Sequence, residues 1–220
     1  MSQAKLITGF GTLTDPIPAP FKTIWDALKP TWKQTHGVNV VRVDSQNQNC
    51  GDTDGLVTTQ LGIPIGVVTA DCVPILIGSE TRQFIGAFHA GWKGTKARIL
   101  SSWIQSTLTR EYKIQPQELK AWIGPAIGPC CYEVGEDLFY DFQSTFSELP
   151  KKIITPTHRH LDLQKIHALE LEKLGFSAVE IIRECTKCTL NNESKNWKYA
   201  SYRRDGTGVR QYTLIQLQNQ

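Results

Sequence analysis

Three side chains able to hold a metal ion stand where apolar runs give way to polar turns: His36 in QTHG, Cys72 in TADC and His89 in FHAG. One thiol and two imidazoles form the donor set of a catalytic zinc or copper site. Zn2+ takes thiolate sulfur at about 2.3 Å and imidazole nitrogen at about 2.0–2.1 Å, and a catalytic site uses three protein ligands with one position left for water or substrate. Copper outranks zinc in intrinsic affinity for such donors. Cys72 and His89 also fit a second chemistry, nucleophile and base, because thiolate is the reactive form and a neighbouring imidazolium lowers a thiol's pKa. The residue types leave both readings open. Asp71, next to Cys72, is either an acid beside the ligands or the cap of a turn. Asp54, in DTDG, reads as a turn former.

Two stretches offer anion contacts. Lys93, Gly94 and Thr95 sit where a helix starts, and exposed N–H groups at a helix start attract phosphate. Arg203 and Arg204 precede a turn at Asp205-Gly206, and arginine offers bidentate contact to phosphate. The remaining cysteines carry less. Cys185 and Cys188 form a C-x-x-C, which supplies two of the four ligands a structural zinc needs and lacks a thioredoxin-like context. Cys130 and Cys131 are neighbours and do not easily bond each other; they belong to the turn after the strand holding Trp122.

The elements that must position these groups follow from apolar periodicity. Runs at 63–68, 73–77 and 84–88, bounded by Gly and Pro, read as buried strands. Cys72 and His89 then lie at strand ends, where a sheet hands side chains to a cleft. Residues 32–36 and 38–43 read as strands meeting at Gly37, followed by a loop through 45–55. Further strands are expected at 120–127, 179–184, 199–203 and 211–217, the last entered through Asp205-Gly206-Thr207-Gly208. Helices are expected at 95–111, 136–146 and Leu163–Leu174, with Gly175 as a stop, and one short helix within 21–28. Many strands, three clear helices and no regular βα alternation predict an α+β fold. No linker divides the 220 residues, so one domain spanning 1–220 is expected.

Composition narrows the function classes. Apolar residues make up 40 % of the chain, which excludes a disordered chain. The net charge of +3 is spread over mixed signs, with no run long enough for a nucleic-acid arm or a membrane patch. Residues 1–20 lack a basic start followed by an apolar run, so the expectation is a cytoplasmic protein with reduced thiols and no membrane span. Five histidines cannot ligate both a mononuclear copper and a trinuclear cluster, so a complete laccase site is excluded while a single copper is not.

The ordered motifs QTHG, DTDGLVT, TADCVPILI, FHAGWKGT, IGPAIGPCCYEVG, LDL, CT and SYRRDGTGVRQ resemble the YfiH-like family, also called laccase-domain or polyphenol oxidoreductase proteins, over roughly residues 34–211. The resemblance implies a β-sandwich core with helices packed outside both sheets, in α/β/β/α layers. It places His36, Cys72 and His89 on the family's metal-binding positions. It also implies phosphorolysis of purine nucleosides (adenosine, inosine, methylthioadenosine) with adenosine deamination beside it, so the partners are a nucleoside and phosphate. Alternatives from other classes are a Cys-His thiol hydrolase or amidase acting on cell-wall precursors, a single-copper polyphenol oxidoreductase, and a metal-bearing binding module. Family members carry an Arg-Gly-Gly-x-Ser stretch before QTHG that residues 1–30 do not contain. If that stretch holds part of the ribose or phosphate in the family, the resemblance implies weaker or different nucleoside activity here.

Overall fold

Alternation along the central strands sets the layers. Successive side chains of a strand face opposite sides, and in β7 (Val73–Ser79) Ile75 and Ile77 join one apolar cluster while Leu76 joins another. The neighbouring β8 (Phe84–Ala90) divides the same way, with Phe84 and Phe88 on one face and Ile85 and Ala87 on the other. A strand buried on both faces needs cover on both, and the fold provides it. The description covers residues 4–206 and 208–219 of a computed structural model.

The remaining strands are β1 (Ala4–Phe10), β2 (Thr31–Lys33), β3 (Val40–Arg42), β4 (Asn49–Asp52), β5 (Gly55–Thr58), β6 (Ile65–Thr69), β9 (Lys120–Ile123), β10 (Ala178–Ile181) and β11 (Gln211–Asn219). A six-stranded sheet runs β10-β9-β7-β8-β5-β3, a three-stranded sheet runs β1-β11-β6, and β2 pairs with β4. Leu56, Ile65, Val67, Leu76, Ile85, Ala87, Ile215 and Leu217 fill the space between the two larger sheets. The outer face of the six-stranded sheet is covered by α2 (Trp92–Lys96), α3 (Ile99–Trp103), α4 (Glu136–Thr145), α5 (Lys151–Ile154) and α6 (Leu163–Leu174), which follow α1 (Trp25–Leu28) in the chain. The smaller sheet is covered by α1 and a 3-10 turn, through Phe21 and Trp25 against Leu214. The α+β sandwich with helices outside both sheets is thus the observed architecture.

Local boundaries differ from expectation in instructive ways. Residues 34–39 are loop rather than strand; a carboxylate from a distant turn takes the N–H groups of Thr35, His36 and Gly37, as described below. β1 was not foreseen in the Pro-rich first thirty residues; it owes its place to antiparallel pairing with β11. β4 lies inside the expected loop and pairs with β2. The helix expected at 95–111 starts earlier, at Trp92, and is broken at Arg98, whose backbone is left-handed (φ 55°). Arg98 leaves the helical path to bond Glu170, Glu148 and the Thr145 carbonyl. From Ile104 to Tyr112 the chain winds as a π-helix. β9 and β10 are parallel, joined by the crossover that contains α4 to α6. Residues 199–203 are not a strand: α7 (Tyr202–Asp205) starts at Ser201, whose hydroxyl accepts from Arg204 N–H, and ends at Gly206. Thr207, in the expected turn, lies outside the described residues. Among the described residues no helix is long and apolar enough to cross a membrane.

Candidate metal centre

The antiparallel pairing of β7 and β8 places Pro74 opposite His89. Cys72, just before β7, and His89, next to last in β8, therefore emerge at the same end of the sheet. His36 arrives from the loop between β2 and β3. A ligand atom from each of His36, Cys72 and His89 lies within 4.8 Å of the other two. The two imidazole rings meet edge to face, their centroids 4.8 Å apart. Gly91 makes the approach possible, since a Cβ there would stand 2.9 Å from Cys72 Sγ and 3.1 Å from His36 Cδ2. The donor set, one soft sulfur and two imidazole nitrogens, fits Zn2+ or a copper ion. No fourth protein ligand joins the group among the described residues.

Asp54 organises this cluster. It is 1 % exposed, on the turn between β4 and β5. His89 Nδ1 lies 2.7 Å from its Oδ1. Its oxygens also accept N–H bonds from Thr35 (3.1 Å), His36 (3.0 Å) and Gly37 (2.7 Å), and the Thr35 hydroxyl (3.2 Å). Successive N–H groups around a left-handed residue, here His36 at φ 61°, form a concavity that holds an anion. The bond to Nδ1 leaves Nε2 of His89 for a metal ion, the usual division of labour in a carboxylate–histidine–metal arrangement.

The charges agree with this geometry. Burial pushes the Asp54 carboxyl up, but the bonds from His89 and from the Gly37 and Thr35 N–H groups outweigh it and bring it to about 2. Burial pushes His89 down, and its bonds to Asp54 and then Cys72 raise it to about 9. Burial likewise raises Cys72, yet bonds to His36 and His89 and their charges lower it to about 7. In the metal-free chain the surroundings thus favour the thiolate form of Cys72 and the protonated form of His89, which Asp54 braces.

These groups form the floor of a cleft of about 960 Å³. Its walls include the rings of Trp92, Tyr132, Tyr202 and Tyr212, and its cations are Lys29, Arg203 and Arg210. Asp71 also lines it, with both oxygens engaged: Oδ1 accepts from the Thr186 hydroxyl (2.6 Å) and Oδ2 from Arg203 N–H (2.6 Å). Its backbone is left-handed (φ 91°), and it positions Arg203 beside the cleft. The Arg203 guanidinium lies over the Tyr132 ring, 5.2 Å from its centroid, and donates to the Glu133 carbonyl.

The other expected anion contacts fall elsewhere. Arg204 turns away from the cleft, stacks on Trp197 and donates to the Tyr199, Thr186 and Lys187 carbonyls, so it braces loops. Gly94 packs against the Gly37 carbonyl. Thr95 is fully buried, its hydroxyl 2.9 Å from His167 Nε2. Lys93 is exposed with its Nζ over the Trp92 ring, outside the cleft lining. The helix starts three residues earlier than expected, so Gly94 and Thr95 are interior to it rather than at its open end. Sequence reasoning took Asp54 for a turn former and did not single out Arg210, Trp92, Tyr132 or Tyr202, which line the cleft. The one signal for Asp54 was the DGL step shared with the resembled family.

The family model described as "Multi-copper polyphenol oxidoreductase laccase" matches residues 25–218. The chain belongs to this YfiH-like, laccase-domain family. Relatives in it include a purine nucleoside phosphorylase of Xylella fastidiosa, 33 % identical over 193 residues (84 % of this chain, 71 % of the relative). The purine nucleoside phosphorylase YfiH of Escherichia coli is 30 % identical over 190 residues (86 % and 74 %). The crystal structure of the Bacillus licheniformis hypothetical protein YfiH superposes with a TM-score of 0.77 at 26 % identity, covering 96 % of this chain and 92 % of that one. YlmD of Geobacillus stearothermophilus gives 0.74 at 26 %, covering 98 % and 92 %. Membership of the YfiH-like family makes the chain one of an enzyme family that binds metal. Two of the chain's five histidines, His36 and His89, stand at the candidate centre.

Proposed function

We propose that this YfiH-like protein is a metal-dependent purine nucleoside phosphorylase acting on adenosine, inosine and methylthioadenosine, with adenosine deamination as a second activity. The observation that carries the reading is the convergence of His36, Cys72 and His89 on the floor of an aromatic-walled cleft that also presents Arg203 and Arg210. The names of the relatives support the same substrate class. Zn2+, or Cu2+ in its place, would supply Lewis-acid chemistry when held by these three side chains. Trp92, Tyr132 and Tyr202 offer ring faces and edges to bury a purine. Arg203 and Arg210 offer charge and N–H donors to phosphate. A phosphate oxygen then bonds to the ribose C1′ as the bond from C1′ to the base nitrogen breaks. The base leaves with the electron pair and takes up a proton. Throughout, Asp54 holds the His89 ring in one tautomer and orientation.

The test is to incubate metal-replete protein with adenosine and inosine, with and without phosphate, and to follow ribose 1-phosphate, free base and ammonia. Base released only with phosphate, and lost in Cys72→Ala, supports the reading. No base or ammonia above the Cys72→Ala background overturns it.

One observation favours a second reading. Cys72, His89 and Asp54 adjoin one another, with His89 Nδ1 on Asp54 and the Cys72 thiol lowered to about 7, the residue set of a thiol hydrolase or amidase. Cys72 would attack an acyl carbon and His89 would protonate the leaving amine. Amide turnover by the metal-stripped protein, abolished in Cys72→Ala, would replace the first reading with this one.

A further inference from the structure

Five cysteines take no part in the cleft chemistry, and the fold brings four of them together. Cys130 and Cys131 lie in the tight turn that follows β9, where Cys131 and Tyr132 N–H both bond the Gly128 carbonyl. Cys185 and Cys188 lie in the loop after β10, tied to the first turn by a parallel bridge from Ala126 to Cys185. The two turns share an origin, the parallel pairing of β9 and β10, which sends both loops out at one edge of the sheet. All four sulfurs lie within 4.8 Å of one another, and none is bonded to another. Cys130 Sγ and Cys188 Sγ are 3.7 Å apart. Sulfurs at about 2.3 Å from one ion in a tetrahedron stand about 3.8 Å apart, whereas a disulfide holds them near ~2.05 Å.

The two loops close tightly around the sulfurs. Gly128 N–H donates to Cys185 Sγ (3.2 Å) from across the two loops. Gly128 also lets the loops close up: a Cβ there would stand 3.3 Å from Cys185 Cβ and 3.4 Å from Cys130 Sγ. Cys130 and Cys188 are exposed while Cys185 is buried, which gives an ion a way in from solvent.

We infer that Cys130, Cys131, Cys185 and Cys188 form a second metal site, a tetrathiolate centre for Zn2+ separate from the His36–Cys72–His89 cluster. It is closed by four protein ligands and is therefore structural. Binding releases the thiol protons and ties the two loops into one unit. The staple matters to the cleft because both loops reach it. Tyr132, next to Cys131, is a cleft wall, and Thr186, next to Cys185, donates to Asp71, which holds Arg203.

The test is a Co2+ titration of reduced, metal-stripped Cys72→Ala protein, in which the first site has lost its sulfur. One equivalent of Co2+ should bind with strong sulfur-to-cobalt charge-transfer absorption, and Zn2+ should displace it. The band should vanish when Cys188→Ser or Cys130→Ser is added, and zinc content of the parent chain should fall from two ions to one in Cys188→Ser. If the added substitutions prevent folding, the Cys72→Ala titration decides alone. Absence of the thiolate band there overturns the site. So does a chain purified without reductant that lacks zinc and has lost two hydrogens by mass for each disulfide mapped among these four cysteines.

Discussion

Asp54 holds both histidines of the candidate centre at once, His89 through its ring nitrogen at 2.7 Å and His36 through its backbone N–H at 3.0 Å. One side chain thus sets the tautomer of one ligand and the loop of the other. Asp54→Asn would keep the shape and replace one acceptor oxygen by a donor facing N–H groups. Metal affinity at the His36–Cys72–His89 centre should fall by about 10–100-fold, the usual cost of losing such a partner. Stability should fall by about 1–3 kcal/mol, because buried donors lose their acceptor. Calorimetric Zn2+ titration and urea unfolding measure the two effects. Unchanged zinc affinity would falsify the orienting role.

Gly91→Ala should loosen the centre by a different route. The new Cβ has to share space with Cys72 Sγ and the His36 ring. The backbone there is ordinary (φ −74°), so the strain falls on the ligands rather than on the fold. Zinc affinity should drop by roughly tenfold or more, about 1.4 kcal/mol. Far-UV circular dichroism should stay unchanged.

Alkylation reads the thiolate directly. In metal-stripped protein, the rate of Cys72 modification by iodoacetamide should rise with pH through a midpoint near about 7, below the ordinary thiol value. Asp54→Asn should move that midpoint upward, since His89 would hold its proton less firmly and stabilise the thiolate less. A midpoint at the ordinary thiol value in the parent protein would remove the ion-pair description. Peptide mapping after alkylation separates Cys72 from the other five cysteines.

Copper loading should give neither four coppers per chain nor the intense blue colour and fast phenol turnover of a complete laccase. The three histidines outside the centre are engaged elsewhere: His158 bonds Glu136, His160 bonds the His158 carbonyl, and His167 is buried against Thr95. Stoichiometric uptake of four coppers would contradict this arrangement.

Acid should destabilise the fold partly through His167. Burial keeps that ring neutral, with its pKa down at about 3, while an unfolded histidine titrates near ~6.5. The neutral ring therefore contributes fully above the unfolded value. As pH falls between those values the unfolded chain takes up a proton that the folded chain refuses, and stability falls by up to about 1.4 kcal/mol per pH unit. Urea unfolding at pH 7 and pH 5 should show the loss, and His167→Gln should flatten that part of the slope. An equal slope in the variant would assign the acid sensitivity to other groups.

The amino-acid sequence by itself determined the donors of the centre and the sheet that carries them. His36, Cys72 and His89 stand out by residue type, and the apolar runs around Val67, Ile75 and Ile85 announce β6, β7 and β8 because burial on both faces leaves no polar positions inside a strand. Periodicity reports how a segment is buried; it does not report which distant group comes to meet it. Asp54 and His89 are 35 residues apart, and an aspartate that orients a ligand has the same local pattern as one that makes a turn. Arg203 and Arg204 are chemically alike and adjacent, yet the one-residue rotation within α7 sends one into the cleft wall and the other into loop carbonyls. The four sulfurs of the second cluster lie in two short motifs 58 residues apart between Cys130 and Cys188, and only the parallel pairing of β9 with β10 puts them within reach of one ion.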